Sequence, residues 1–189
     1  MAQPGREHFE PAVEFVQPSP YVPRLPELRA YALASFRPGC SVAVGALDLM
    51  HRVHADFAYQ SLSTQVDTPL AEVFGQRRGV CQDFAHLLIA CCRCVGIPAR
   101  YVSGYLYDRS NGPYDVLATH AWVEAHVGSG WLGLDPTHRR MVTDHYVRIA
   151  IGRDYGDAAP VRGFYKGTAK EKMSVKVRIR PLEEPVIAP

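Results

Sequence analysis

Between Gly79 and Gly96 the sequence runs CQDFAHLLIACCRCV, Cys81 to Val95, with neither proline nor glycine. Rich in Ala and Leu, and closed by Gly96 and Pro98, it reads as one helix. Phe84, Leu88, Cys91 and Val95 fall on one stripe of that helix, and Cys81, Ala85, Leu88 and Cys92 on the stripe beside it. Few polar residues interrupt either stripe. A helix apolar around so much of its girth has to be covered by the rest of the chain, so it is expected to stand at the centre of the fold.

The remaining segments can be read around it. Gln17 to Pro26 carries four prolines and is expected to be extended rather than packed. Helices are expected from Pro26 to about Ser35, through Leu28, Tyr31 and Ala32, and from about Ser41 to Phe57, with Val44, Leu47, Val53 and Phe57 on one face. Asp67-Thr68-Pro69 opens a short helix to about Gly75, and Gly75 to Gly79 is a basic turn. After the central helix the pattern changes to strands. Arg100 to Asp108 is rich in Tyr, Val and Leu; Asp108 to Pro113 is a loop; His120 to Val127 and Trp131 to Leu134 form an antiparallel hairpin around Gly128-Ser-Gly130. Val175, Val177 and Ile179 alternate with Lys176, Arg178 and Arg180, a half-buried strand with a solvated basic face.

With 189 residues, 47% of them hydrophobic, the chain suits one domain with an ordinary core. A net charge of +2 gives no case for nucleic acid. The opening residues, MAQPGREHFEPAVEF, lack the apolar core of a secretory leader, and no stretch reaches the ~20 apolar residues that span a bilayer. A soluble cytoplasmic protein is expected. Five cysteines, four of them between positions 81 and 94, do not form a disulfide framework. Cys91-x-x-Cys94 has the spacing of a redox pair or half a zinc site, but no second pair accompanies it. Neither metal nor cofactor is expected, and Cys91 and Cys92 read as small hydrophobes.

Cys81 differs from its neighbours by position. At a helix N-terminus the unpaired N–H groups and the positive dipole end stabilise a thiolate, and the backbone N–H there is aimed where an acyl-transfer oxyanion forms. A nucleophilic thiol also needs a base, and the base an orienting group. His120 opens one hairpin strand and Asp135 closes its partner, so antiparallel pairing sets His120 opposite some residue between Asp135 and His138. Cys81, His120 and Asp135 are therefore the candidate catalytic residues. His138 is the competitor for the cysteine; His126 lies at the turn end of the hairpin. His86, His51 and His54 read as structural or surface residues, and Asp83 as a complement to the helix dipole. Tyr59, Gln76 and Tyr155 are candidate oxyanion donors among which nothing in the sequence chooses.

Three ordered stretches, GVCQDFAHLLIACCRCVGIPARYVSGYL, THAWVEAHVGSGWLGLDPTH and IGRDYGDAAPVRGFYKG, resemble the bacterial transglutaminase-like family. The resemblance implies an α+β, papain-like core in which a nucleophile helix packs on an antiparallel sheet. Carried onto matching positions, it gives the same catalytic set, Cys81, His120 and Asp135. It also implies a domain over residues 19–181, between an extended segment (1–18) and a C-terminal tail (182–189). Members usually carry a β-rich region ahead of the segment that begins here near Ser19, and His138 stands where a small polar residue such as Asn is expected. The expected function is a Cys-His-Asp acyl-transfer enzyme that hydrolyses an amide or peptide bond, its partner a peptide or amide substrate. The alternative is a non-catalytic peptide-binding or truncated member of the family.

Overall fold

The computed structural model describes residues 12–107, 115–116, 119–159 and 177–179. A 3₁₀ turn (Ala12–Val16) precedes α1 (Pro26–Leu33), α2 (Val42–Asp56), β1 (Ala58–Tyr59), α3 (Leu70–Gln76), β2 (Arg78–Gly79) and α4 (Cys81–Cys94). The strands β3 (Ala99–Leu106), β4 (Asp115–Val116), β5 (His120–His126), β6 (Trp131–Asp135), β7 (Arg140–Met141) and β8 (Tyr146–Gly152) follow, then α5 (Tyr155–Ala158) and β9 (Val177–Arg178). Helices and an antiparallel sheet make this an α+β fold, as the sequence implies.

Helix α4 is the hub. From Phe84 to Cys92 every residue is buried, and Ala85, Leu88, Ile89 and Cys92 are wholly so. It packs against α1, α2 and α3 on one side and against β3 and β5 on the other. On the sheet side it meets Ala99, Tyr101, Ala121, Val123, Ala125 and Leu134, and the three alanines let helix and sheet approach closely. Gly96, at φ +83°, ends the helix in the left-handed backbone that favours glycine.

The five-stranded sheet has the order β7-β6-β5-β3-β8, with every neighbour antiparallel. Its second face carries Val102, Trp122 and Tyr146, packed with Leu106, Val142 and Ile151. At Gly104, which pairs with His120, the register of β3 against β8 shifts by a bulge.

Three expectations need correction. Helix α2 buries Gly45, Ala46, Leu49, Met50 and Val53, whereas Val44 is exposed. The stripe that wins is therefore rotated from the predicted one, because Leu49 and Met50 add more apolar area than Val44 can. The proline-rich segment before α1 is packed rather than merely extended. Val22 is buried, Tyr21 stacks on His86, and the buried Arg93 donates to the carbonyls of Gln17, Ala99 and Arg153 and to Ser19 Oγ. Prolines removed backbone donors there, and Arg93 supplies them. The basic turn holds strand β2, which pairs in parallel with β1. Of the C-terminal strand, Val177 and Arg178 pair with β4; Val175, Lys176 and Arg180, like the loop 108–113, lie outside the described residues.

Candidate active site

Cys81 is the first residue of α4, partly buried, behind the extended N-cap Val80. The Val80 N–H donates to Asp83 Oδ2 at 2.8 Å, and the Thr64 hydroxyl donates to the same oxygen at 2.6 Å. Asp83 thus caps the helix, which leaves the Cys81 N–H among the amides with no intrahelical acceptor. Burial raises the Asp83 pKa, and the bonds from Thr64 and Val80 work against that rise. A Cβ on Gly79 would lie 2.7 Å from Asp83 Oδ2, so the glycine ahead of Val80 and Cys81 makes room for the cap.

The other sulfurs are spoken for. Burial pushes the Cys91 thiol up and the Cys92 thiol up to about 12. Cys94 Sγ donates to Leu25 O at 3.8 Å and Cys40 Sγ to Ser41 O at 3.4 Å. All five thiols are free.

His120 and Asp135 meet. The pairing of Val123 with Leu134 sets Asp135 on the face that also carries Trp122 and His120. His120 Nε2 donates to Asp135 Oδ2 at 2.8 Å, and the Cys81 sulfur is near enough to the imidazole to help raise its pKa. With Nε2 engaged by the carboxylate, the second nitrogen is the one left for sulfur. Burial of His120 disfavours its charge, but the bond to Asp135 and the nearby Cys81 outweigh it and raise the pKa to about 9.

Asp135 is wholly buried, and five donors surround it. Oδ2 accepts from His120, from His138 Nδ1 at 2.8 Å and from the Tyr146 hydroxyl at 2.7 Å. Oδ1 accepts from the N–H groups of Thr137 at 2.9 Å and His138 at 3.2 Å. Burial alone would raise its pKa; the bonds from His120, His138 and Tyr146 hold it well below the usual carboxylate range. The Tyr146 oxygen accepts from Arg140 Nε at 2.9 Å, so positive charge reaches the carboxylate through the phenol.

His138 therefore engages the aspartate, with its ring 5.0 Å from that of His120. Sequence reasoning set it as a competitor for the cysteine. The ligand atoms of His120, Asp135 and His138 lie within 4.8 Å of one another, near enough for one metal ion. Yet the 2.8 Å separations are those of proton-bridged pairs, and zinc bonds of ~2.0–2.2 Å would spread a tetrahedral donor set to roughly 3.4 Å. The hydrogen bonds already account for the cluster.

Among the candidate oxyanion donors, Gln76 is turned away, bonded to Glu72 and Arg78. The Tyr155 N–H donates to His86 Nε2, and burial brings the His86 pKa down to about 4, so that ring is neutral. Burial raises the Tyr59 pKa, and the Cys81 sulfur nearby adds to the rise. Tyr146 and Arg140 escaped the sequence reading, which took His54 only for a structural or surface residue. His54 alone left a trace, standing four residues after Met50, at the flank of the buried stripe of α2.

The profile of the family described as Transglutaminase-like superfamily matches residues 41–136, just over half of the chain. The chain belongs to this superfamily. The matched span carries Cys81, His120 and Asp135. An uncharacterized protein of Mycobacterium tuberculosis (strain ATCC 25618 / H37Rv) is 41% identical over 169 residues, covering 82% of this chain and 53% of the relative. A protein-glutamine gamma-glutamyltransferase of Pseudomonas aeruginosa is 35% identical over 94 residues, 46% of this chain and 14% of that protein. Among solved structures, a candidate cysteine protease from Cytophaga hutchinsonii superposes with TM-score 0.67 at 36% identity, over 78% of this chain and 49% of its own. The periplasmic domain of TgpA from Pseudomonas aeruginosa does so with TM-score 0.52 at 28% identity, over 68% and 47%. This transglutaminase-like chain spans about half the length of the curated relatives of Mycobacterium tuberculosis that it matches.

The His120–Asp135 pair makes the stability of the fold depend on pH. A pKa near 9 for His120, above its ordinary 6.5, contributes stability that is complete below about pH 6.5 and lost as pH rises through 9. Asp135, held low, contributes stability above its ordinary 3.8 that is lost on acidification. Calorimetric Tm is expected to fall between pH 6.5 and 9.5 in the parent protein, and to fall less in Asp135→Asn. Equal slopes for the two proteins contradict the pairing.

Proposed function

We propose that this chain is a thiol-dependent acyl-transfer enzyme that hydrolyses an amide or peptide bond. The observation that carries the reading is the 2.8 Å hydrogen bond from His120 to a buried Asp135, with the Cys81 sulfur beside that imidazole at a helix N-terminus. Superfamily membership and the likeness to a candidate cysteine protease support it.

In this reading Cys81 gives its proton to His120, and the thiolate attacks the substrate carbonyl carbon. The carbonyl π electrons move to oxygen, where the Cys81 N–H is the donor nearest to hand. As the intermediate collapses, the C–N bond breaks and the His120 imidazolium protonates the departing amine. Water then enters; His120 takes its proton, hydroxide adds to the thioester, and the C–S bond breaks to release the carboxylic acid and restore the thiol. Asp135 never exchanges a proton. Its negative charge stabilises the imidazolium and its position fixes the ring. An amine in place of water would give transamidation by the same steps. The cytoplasm, with thiols kept reduced, is the compartment proposed; among the described residues no helix is long and apolar enough to cross a membrane.

Brief treatment of the native protein with iodoacetamide near neutral pH, followed by peptide mass spectrometry, tests the nucleophile. Cys81 is expected to carry nearly all the label, with Cys91 and Cys92 protected until the protein unfolds. Label spread over Cys40 and Cys94 at the same rate sinks the assignment. A peptide-amide substrate panel run beside Cys81→Ala then separates catalysis from simple peptide binding, which would survive the substitution.

A further inference from the structure

We infer that His54, on α2, is a positioning residue for Asp135, acting through the peptide carbonyls of the loop that follows it. His54 Nδ1 lies 3.2 Å from the Pro136 oxygen and 3.1 Å from the Thr137 oxygen. Carbonyl oxygens only accept, so Nδ1 carries the proton and shares it between the two. Neutral His54 in this tautomer and charged His54 both keep that proton, and the tie holds in either state.

The same loop turns its amide side inward, where Thr137 N–H and His138 N–H donate to Asp135 Oδ1. The segment 136–138 is thus gripped on two sides, by the carboxylate through its N–H groups and by a helix of the other layer through its carbonyls. The Thr137 side chain does not fix the loop, since its buried hydroxyl has no partner among the described residues. Helix α2 packs against β6, so the grip joins Asp135 to the helical layer that also holds α4 and Cys81. A carboxylate oriented only by its own strand end would keep Oδ2 near His120 less well. Through His54, the loop, Asp135 and His120, the orientation of the base is referred to the layer that carries the nucleophile. This rests on the acyl-transfer reading above. No described contact joins His54 to Cys81 or His120, so its effect is indirect.

The test compares His54→Leu, which fills the space without donating, with His54→Gln, whose amide group offers two N–H donors for the two carbonyls. Readouts are the second-order rate of Cys81 alkylation by iodoacetamide, the downfield His120 Nε2–H proton in ¹⁵N-edited NMR, and Tm. His54→Leu is expected to lower the alkylation rate about tenfold, the scale of a modest misplacement, and to shift or broaden the His120 signal. His54→Gln is expected to recover the rate to within about threefold and restore the signal. Two results overturn the inference: His54→Leu alkylating as fast as the parent with an unchanged His120 signal, or both variants being equally impaired, which would mark a purely structural histidine. Were Cys81 unreactive in the parent, the acyl-transfer reading would fail. The NMR signal would still decide whether His54 holds Asp135 against His120.

Discussion

Replacing Asp135 with alanine is expected to lower kcat on a cleaved peptide amide by about 10²–10⁴, the range for depriving a catalytic histidine of its carboxylate. The geometry explains why so much hangs on one group. His120 has its Nε2 proton fixed by Asp135 Oδ2 at 2.8 Å, and that tautomer leaves the opposite nitrogen ready for the thiol proton. Without the carboxylate the ring can turn, and burial then disfavours the imidazolium with only Cys81 left to offset it. The alanine variant also strands His138 and Tyr146, which donate to the same oxygen, so its folding needs checking by Tm. Asp135→Asn keeps an acceptor and the shape while losing the charge. Its NH2 must face donors on one side, so Tm should fall as well, and the folded protein should still lose most of kcat with KM little changed. Turnover within threefold of the parent in both variants would remove Asp135 from the mechanism.

The second large effect is expected at Gly104. A Cβ there would run into the Val147 carbonyl oxygen and lie 2.6 Å from the Trp122 ring. Neither can yield cheaply: one is backbone of β8, and the other is a fully buried indole. Gly104→Ala is expected to cost about 3 kcal/mol, toward the upper end for overpacking, or roughly 6–12 °C in Tm for a chain of this size. Because Gly104 pairs with His120, and Trp122 stacks beside His120 with rings 6.1 Å apart, the strain should also slow alkylation of Cys81. A Tm within 2 °C of the parent would mean that the sheet here has room to spare.

How much of this was legible in the sequence depends on distance along the chain. The central helix announced itself through local periodicity, and its first residue singled out Cys81 with no knowledge of the partners. The hairpin is local too. Fifteen positions separate His120 from Asp135, and Gly128 and Gly130 between them mark the turn, so their meeting followed from antiparallel pairing. The parts played by Tyr146, which reaches the aspartate, and by His54, which reaches the loop after it, were not legible, because they come from elements whose packing no short pattern encodes. Arg93 escaped for the same reason. A lone arginine near a helix end reads as solvated, and only the fold reveals that it replaces donors the prolines could not provide. The rotated face of α2 failed differently. Its pattern admits two overlapping stripes, and the choice is made by what α4 and β6 press against it.

The two halves of the proposed catalytic pair belong to different layers, the sulfur to the start of α4 and the imidazole to the start of β5. No short loop links them, so the gap between them works like the jaws of a caliper whose screw is the interlayer core. Ala85 and Leu88 on one jaw, and Ala121, Val123 and Ala125 on the other, set the opening. Enlarging one of those alanines would pry the jaws apart without touching a reacting group. Tuning of the proposed reactivity should therefore be found among interior methyl groups as readily as among the groups that surround Cys81 and His120.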